Sequence, residues 1–340
     1  MNSKERVQSA LAGERIDRPL FCPAIYEHKA KLLGKSPSDV SRDVRLLEQA
    51  VLAEYQTYGP DMLTVGIDVY NVEAEALGST VFFSKVIDAV PVIKRRILDS
   101  PDELDRLAEV APESSGRMPV VIKAAEAVNK KIGEQIYVRG AISGPFSTAA
   151  QLLGIEQLLM AVMLEPNKVR KLVGICTDVA ISYGRAFIKR GLEVCIFDSQ
   201  TAPPMLSPKN YSDLVLPDVQ RLIKSLKDAG AHFVAYIVGG DTTSNVENLL
   251  ATGADIVLSD FVSNVNKFLE LVKDTKALVR RNIDPALIEL GPEKNLHEQI
   301  KFVRELAHNN PQIIIGTGVL SYNTGIERIL MVKNMCLKGS

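Results

Sequence analysis

The stretch 66–78, GIDVYNVEAEALG, constrains the fold of this chain more than any other part of the sequence. A mainly apolar run at 62–67 leads into it and ends abruptly in a series of polar side chains: Asp68, Tyr70, Asn71, Glu73 and Glu75. A buried strand that stops in a cluster of polar residues is typical of parallel barrels that hold a site at the carboxyl ends of their strands. Glu73 and Glu75 have a simpler alternative, because carboxylates also favour the first turn of a helix.

The rest of the chain alternates short apolar runs with longer helical segments. After an opening helix at 3–12, strands are predicted at 20–26, 62–67, 136–142, 193–197, 232–238, 256–259, 277–280 and 313–316. This alternation favours parallel strands joined by right-handed crossovers, and about eight strands make a (β/α)8 TIM barrel. We predict an α/β fold, a TIM barrel with an amino-terminal helical extension, as a single domain over residues 1–340. A doubly wound open sheet is the alternative.

Helices are predicted in the segments that connect these strands. They are predicted at 46–58, 157–163, 166–190, 211–230, 245–252, 264–273 and 296–308. Residues 79–98 interrupt the alternation with VFF and PVIKRRI, whose β-branched residues predict a short excursion of β-structure.

Charge and composition narrow the class of protein. Lys and Arg total 40 against 41 Asp and Glu, so the chain has no basic footprint for nucleic acid or for a lipid surface. The amino end is charged and no apolar run approaches the roughly 18 residues needed to span a bilayer. Three of the four cysteines, Cys22, Cys176 and Cys195, lie in apolar runs and are expected to be buried thiols. We expect a soluble cytoplasmic protein.

Polar residues recur just past the predicted strands. These strand tips are Tyr26-Glu27-His28, residues 68–71, Arg139-Gly140, Asp198, Gly239-Gly240-Asp241, Asp260, Asn282-Ile283-Asp284 and Gly316-Thr317-Gly318. In a barrel they form a concave, acid-rich mouth with one Arg and one His. Such a mouth could hold a metal ion, a cationic centre or the polar edge of a ligand.

Several tip residues also have purely structural interpretations. His28 could simply begin a helix. Arg139 lies on a largely apolar strand and must be paired, so a salt bridge to Asp68 or Asp198 would serve stability alone. Tyr26 and Tyr70 could form a flat wall for an aromatic ring or could only seal the core.

Motifs over nearly the whole chain resemble the uroporphyrinogen decarboxylase superfamily, and VEAEALG resembles its corrinoid-linked methyltransferase branch. The further segments are residues 3–7 (SKERV), 10–13 (ALAG), 17–19 (DRP), 140–146 (GAISGPF), 206–208 (LSP), 252–255 (TGAD) and 282–285 (NIDP). Their order and spacing carry the resemblance. It implies a TIM barrel with its site at the carboxyl face.

Two departures limit what the resemblance implies. The decarboxylase itself has an arginine-rich element near the first strand that grips its substrate's carboxylates, whereas residues 23–29 here contain no Arg. Thiol-methylating members hold zinc with an HxC pair and a distant Cys. The matching stretch, 236–241, has neither His nor Cys, and residues 316–319 (GTGV) stand where the distant Cys would be. Thiol methylation by that zinc site is therefore not expected.

What remains resembles the methyltransferase components of O-demethylases, which pass a methyl group from a small donor to a corrinoid protein. The expected donor is an aryl methyl ether, and the acceptor is cobalamin carried by a partner protein, since this chain has no DxHxxG corrinoid motif. Because phenolate leaves poorly, a Lewis acid or a proton donor is needed. The candidate residues are Tyr26, His28, Asp68 and Asp241 for catalysis, Tyr70, Asn71, Arg139, Asp198 and Asp260 for substrate binding, and Glu27, His28 and Glu73 for zinc.

Two other functions stay open. One is decarboxylation of a small acid, which gains support if Arg139 faces the barrel interior without an Asp partner and loses it otherwise. The other is a ligand- or partner-binding protein that has lost its chemistry. The sequence does not name the donor or establish a metal, and the outer helices of a barrel would also suit a homodimer.

Overall fold

The computed structural model describes residues 1–337. Eight parallel strands form one sheet, in the order β1-β10-β9-β8-β7-β6-β5-β2, and two antiparallel strands, β3 and β4, form a separate hairpin. The strands are β1 Leu20–Ala24, β2 Met62–Val65, β3 Thr80–Phe82, β4 Val92–Arg95, β5 Tyr137–Ser143, β6 Glu193–Phe197, β7 Val234–Ile237, β8 Ile256–Ser259, β9 Leu278–Ile283 and β10 Ile313–Val319.

Helices cover the outside of this sheet. They are α1 Ser3–Ala12, α2 His28–Lys31, α3 Pro37–Val40, α4 Val44–Tyr58, α5 Asn71–Ala76, α6 Met118–Ile132, α7 Pro145–Leu153, α8 Ile155–Leu164, α9 Pro166–Ile188, α10 Pro208–Leu214, α11 Leu216–Asp228, α12 Val246–Ala251, α13 Val265–Val272, α14 Pro285–Glu289, α15 Glu293–Asn309 and α16 Ile326–Leu337. Short 3-10 turns lie at Leu104–Arg106, Ser199–Thr201 and Thr243–Asn245.

The sheet curls into a nearly closed barrel, because its two end strands meet. The Asp61 N–H, just before β2, donates to the Phe21 carbonyl of β1 at 2.8 Å, and the Asp61 carboxylate accepts from the Phe21 N–H at 2.8 Å. Arg6 of α1 bonds the same carboxylate at 2.7 Å, and so does Arg18. The predicted TIM barrel is confirmed, and the doubly wound alternative is wrong.

Alternation along each strand divides the core in two. Leu20, Cys22 and Ala24 of β1 face the barrel interior, where they pack with residues of the other strands and with Val7 of α1. The intervening residues, such as Phe21, face the helical layer. Because α1 packs at the amino ends of the strands, it closes that end of the barrel and leaves the carboxyl end for a site.

Several predicted boundaries shift, among them those of one helix and one strand. The helix predicted at 211–230 is split into α10 and α11, because Pro217 occupies the first turn of α11 and cannot continue a helix from the preceding residues. Strand β9 continues three residues past Arg280 to Ile283, so Asn282 lies within the strand. The β-excursion predicted at 79–98 is the hairpin of β3 and β4.

None of the single helices within 1–337 has the length and apolar composition that a membrane crossing requires. The pair α7 and α8 passes such a test only when joined across a bend of 110°. Most residues of α7 are buried in the protein core. The four cysteines are free and buried, as predicted for three of them.

Candidate active site

A cavity of about 400 Å³ opens at the carboxyl ends of the barrel strands. Its walls are largely apolar, and they include Ile67, Val69, Phe197, Ile237 and Leu258. The hairpin contributes one side of the mouth, through residues 90–93. The polar groups on the lining are Tyr26, Glu27, Asp68, Tyr70, Asn71, Gln151, Ser199, Asp260, Arg280, Asn282 and Thr317.

Six of the eleven predicted site residues line this cavity: Tyr26, Glu27, Asp68, Tyr70, Asn71 and Asp260. The structure places the other five, His28, Glu73, Arg139, Asp198 and Asp241, outside its lining. The strand-tip rule therefore found the right end of the barrel. It did not distinguish side chains that enter the cavity from those that turn into the surrounding layers.

His28 points into the helical layer. It is fully buried at the start of α2, where one ring nitrogen bonds Tyr58 Oη at 2.7 Å and the other bonds the Ser321 carbonyl oxygen at 2.9 Å. Burial lowers the pKa of His28 below its ordinary value. Both ring nitrogens are therefore engaged by neighbours, and the expected presentation of His28 at the mouth is not found.

Glu73 also turns inward, on α5. Its Oε1 accepts a hydrogen bond from the Ser143 N–H at 2.7 Å, and its Oε2 is buried without a partner among the described residues. Burial raises the pKa of Glu73 to about 7. Glu73 does lie in the first turn of a helix, as the simpler alternative held, and it also caps the end of strand β5.

Arg139 lies in the barrel interior, away from the cavity lining. Its guanidinium donates to Thr64 Oγ1 at 2.8 Å and contacts Cys22 Sγ at 3.4 Å. Within residues 1–337 it forms no salt bridge with Asp68 or Asp198, the two partners considered from the sequence. The salt bridge to Asp68 or Asp198, one of the two alternatives for Arg139, is therefore not formed.

The partner of Asp68 is Arg117, which precedes α6. Arg117 Nη1 and Nη2 donate to the two carboxylate oxygens of Asp68 at 2.9 and 2.7 Å, and Nε donates to Glu75 at 2.6 Å. The sequence analysis missed Arg117, because no local pattern joins residue 117 to the loop after β2. Two acids of the opening motif thus share one cation.

Asp198 and Asp241 serve local structure. Asp198 is fully buried, accepts from the Ser147 N–H at 2.7 Å and from Tyr236 Oη at 3.1 Å, and has its pKa raised to about 6 by burial. Asp241 is exposed, and its carboxylate accepts from the N–H of Thr243 at 3.0 Å in a turn.

Asp260 is held in place at the cavity by three donors. Its carboxylate accepts from the N–H groups of Gly240 and Phe261 and from Asn282 Nδ2, each at 2.9 Å. These contacts leave Asp260 as a fixed negative group on the lining.

Tyr26 and Glu27 follow β1 and border the same space. The Tyr26 ring packs edge-on against Phe197 with centroids 5.3 Å apart. Burial raises the pKa of Tyr26 above its ordinary value, so the phenol stays protonated at neutral pH. Burial also raises the pKa of Glu27 above 4.5. The Tyr26 phenol can therefore donate a hydrogen bond into the cavity, and Glu27 holds its proton more tightly than an exposed carboxyl does.

Arg280 and Asn282 of β9 line the cavity, although Arg280 was not considered from the sequence and Asn282 was only one of the strand-tip residues. The run Arg280-Arg281-Asn282 carries the signal, because alternation turns Arg280 and Asn282 inward and Arg281 outward. Arg281 instead bonds the carbonyl oxygens of Asp260 and Ser263 behind the barrel wall, at 2.6 and 2.8 Å.

The donor set does not fit the zinc ion considered as one possible Lewis acid. In the described part of the chain, no three His, Cys, Asp or Glu side chains converge as metal ligands. The proposed ligands diverge, since Glu27 borders the cavity while His28 bonds Tyr58 and Glu73 bonds Ser143. No step of the chemistry is therefore assigned to zinc.

Fold and site together define a TIM barrel with an apolar, partly acidic cavity at its carboxyl face. The chain belongs to the family described as Uroporphyrinogen decarboxylase (URO-D), whose model matches residues 2–334. The predicted superfamily is thus confirmed. Its solved relatives include a methyltransferase from Methanosarcina mazei, which superposes with a TM-score of 0.86 at 17% identity and covers 98% of both chains.

Curated relatives fall into two groups. Methylcobamide:CoM methyltransferase MtbA of Methanosarcina mazei is 23% identical over 339 residues, 98% of this chain and 95% of the relative. Methylated-thiol–coenzyme M methyltransferase of the same organism is 22% identical and covers 99% of this chain and 89% of its own length. Uroporphyrinogen decarboxylase of Citrifermentans bemidjiense is 26% identical over 230 residues, 65% of this chain and 66% of the relative. The resemblance to the methyltransferase branch thus extends over the full length of the chain.

Proposed function

We propose that this protein moves a methyl group from a small aryl methyl ether to a corrinoid carried by a separate partner protein. The apolar-walled cavity of about 400 Å³ is the observation that carries the proposal, because it suits a substituted aromatic ring. Full-length similarity to a methylcobamide:CoM methyltransferase supports the corrinoid as the second reactant.

In this reaction the O–CH3 bond breaks, the methyl group passes to the corrinoid cobalt, and the ether oxygen takes up a proton. The residues of this chain bind the ring, exclude water and supply that proton. Glu27 is the proposed proton donor, because its pKa is raised and it borders the cavity. Tyr26 is the proposed hydrogen-bond donor that stabilises the developing phenolate.

Thiol methylation is a poorer match to these side chains. Residues 236–241 contain no His or Cys, and Asp241 in this segment is exposed and bonded within its own turn. A thiolate would have no soft metal ligand set to lower its pKa here. The proposed methyl-group donor is therefore an oxygen compound.

The test is a turnover assay with the purified protein. It would contain a methoxylated phenol and reduced corrinoid, first as free cobalamin and then on a corrinoid protein. The expected result is loss of the reduced-corrinoid absorbance together with an equal amount of demethylated phenol. Reduced corrinoid that persists with a panel of methoxylated phenols, while a positive-control methyltransferase consumes it, would overturn the proposal.

Decarboxylation of a small acid is the second candidate, and one observation favours it. Arg139 faces the interior without an Asp partner, and a second cation, Arg280, lines the cavity. Arg280 can bind a carboxylate in the cavity, while Arg139 adds positive charge to the barrel interior outside the lining. Release of CO2 from small aromatic acids, without any corrinoid present, would select this function over methyl transfer.

A further inference from the structure

We propose that the substrate of this cavity is an aromatic carboxylate whose acid group binds the guanidinium of Arg280. This inference deepens the proposed function. It rests on that function for the statement that the ligand is a methyl donor. The substrate class would then be methoxylated aromatic acids instead of neutral ethers.

Arg280 is a buried cation with unused donors. It is 4% exposed and lines the cavity. Its guanidinium donates one hydrogen bond, from Nη2 to the Thr317 carbonyl oxygen at 2.8 Å. Its Nε is buried and has no partner among the described residues. A guanidinium has five N–H donors and needs acceptors when it is removed from water.

No carboxylate of the described chain neutralises this charge. Arg280 forms no salt bridge within residues 1–337. Tyr26 and Cys195 face it inside the barrel and are neutral at pH 7, because burial raises their pKa values. The carboxylates of Glu27 and Asp260 lie on the same cavity lining, but neither bonds Arg280 within residues 1–337. Arg139 adds a second positive charge to the same interior. An unpaired buried cation is costly, and a ligand carboxylate would supply the missing partner.

A second polar atom marks the same spot. Asn282 Oδ1 is buried without a partner among the described residues, although Asn282 Nδ2 is bonded to Asp260. Because this oxygen accepts hydrogen bonds, it would meet a hydroxyl or N–H group of the ligand and not its carboxylate. Gly316 lies opposite on β10, paired with Asn282. A Cβ at Gly316 would fall 2.4 Å from Arg280 Nε and 2.6 Å from Asn282 Oδ1. The glycine therefore keeps open the space between two unpartnered polar atoms.

The arrangement also orients the ligand. Arg280 precedes Asn282 by two residues on β9, which places it about 6–7 Å deeper in the barrel at the usual strand rise. Apolar residues such as Phe197 and Leu258 line the walls above it, and Pro91 of the hairpin borders the mouth. An aromatic acid would enter acid group first, with its methoxy group towards the mouth and an approaching corrinoid.

Calorimetric titration of 4-methoxybenzoate and 4-methoxybenzamide tests this inference, with no corrinoid present. The two probes share size and shape, and only the first is charged near neutral pH. The wild-type protein should bind the acid at least roughly tenfold more tightly than the amide, as expected for a charged hydrogen bond. Arg280→Gln should bind both equally, and exposed Arg170→Gln on α9 should keep the preference.

Equal binding of acid and amide by the wild type, or an unchanged acid preference in Arg280→Gln, would overturn the inference. The wild-type comparison decides the matter even if Arg280→Gln does not fold. The outcome is also separable from the proposed function. Acid binding through Arg280 without methyl transfer would retain the inference and favour decarboxylation. Methyl transfer with no acid preference would retain the function and remove the inference.

Discussion

Arg117 holds both carboxylate oxygens of Asp68 in a bidentate pair, with N–O distances of 2.9 and 2.7 Å. Both side chains are buried. Arg117 comes from the segment before α6, while Asp68 follows β2, so the pair ties the cavity loop to the helical layer. Asp68 therefore acts on the site through its position, and its charge is already compensated.

Removing one partner of this pair should destabilise the fold. Arg117→Gln would leave the Asp68 carboxylate buried without its cation, a change that costs about 3–5 kcal/mol in comparable pairs. Urea unfolding followed by circular dichroism would measure it. Adding Asp68→Asn should recover part of the loss, because the orphaned charge is gone. Exposed Arg106→Gln is the control and should shift the midpoint little.

Stability should fall with rising pH because of Glu73. Its pKa is about 7 when folded, against 4.5 ordinarily, so the folded state holds this proton more tightly than the unfolded state. The stabilisation is complete below pH 4.5 and is lost as pH rises through about 7, by up to about 3 kcal/mol. Glu73→Gln should therefore gain stability over wild type between about pH 5 and about pH 8. Exposed Glu298→Gln should show no such trend, and a parallel trend in both variants would contradict this assignment.

Glu27 should govern the pH dependence of turnover. The proposed donor must be protonated, so the rate should decline as pH rises through the Glu27 pKa, which lies above 4.5. Glu27→Gln should lower kcat by about 100-fold and abolish that decline. A pH–rate profile of wild type and variant measures both effects. A variant that keeps the wild-type profile would exclude Glu27 as the donor.

Gly316→Ala should impair ligand binding without unfolding the barrel. The new Cβ would meet Arg280 Nε at 2.4 Å and Asn282 Oδ1 at 2.6 Å, and the Arg280 side chain would have to move. Acid binding should weaken by roughly tenfold in calorimetry. Gly174→Ala on α9 is the matched control, since its Cβ would meet nothing within 4 Å. Equal affinity in both variants would argue against a ligand at Arg280.

Asn71 should position the hairpin over the cavity. Its Nδ2 donates to the Pro91 carbonyl oxygen at 2.8 Å, and Pro91 borders the mouth. Asn71→Ala should raise KM several-fold with a smaller effect on kcat, because the wall is loosened while the reacting groups stay in place. Asn323→Ala removes an exposed contact to Asp88 of the same hairpin and should change KM less. Steady-state kinetics on both variants compares the two contacts.

The periodic patterns of apolar residues predicted the architecture, because burial of a strand or helix dictates which of its positions are apolar. Runs of apolar residues at 193–197 and 256–259 match β6 and β8, since a strand buried on both faces needs apolar side chains throughout. Strand-tip residues such as Asp260 and Tyr26 reach the cavity because parallel strands all end at one face. The hairpin at 79–98 was likewise visible as β-branched runs.

Local sequence patterns did not predict the direction in which each side chain points. His28 comes directly after Glu27, yet helix α2 begins there and turns its ring towards Tyr58 of α4. Arg117 pairs with Asp68 in place of Arg139, and it lies 49 residues further along the chain than Asp68, beyond the reach of any local pattern. Arg280 was not selected because it lies within strand β9, whereas the candidates were taken from residues just past each predicted strand.

By itself, the sequence determined the barrel, the end of it that carries the site, the family and the loss of the thiol–zinc ligands. The barrel and its site-bearing end follow from periodicity and strand polarity, whereas the family and the missing ligands follow from the resemblance of motifs and the residue types within them. Only the tertiary structure decided which polar groups face the cavity and which are neutralised behind it. That choice depends on contacts between residues far apart in the chain, such as Arg280 with Gly316, and no local pattern encodes them.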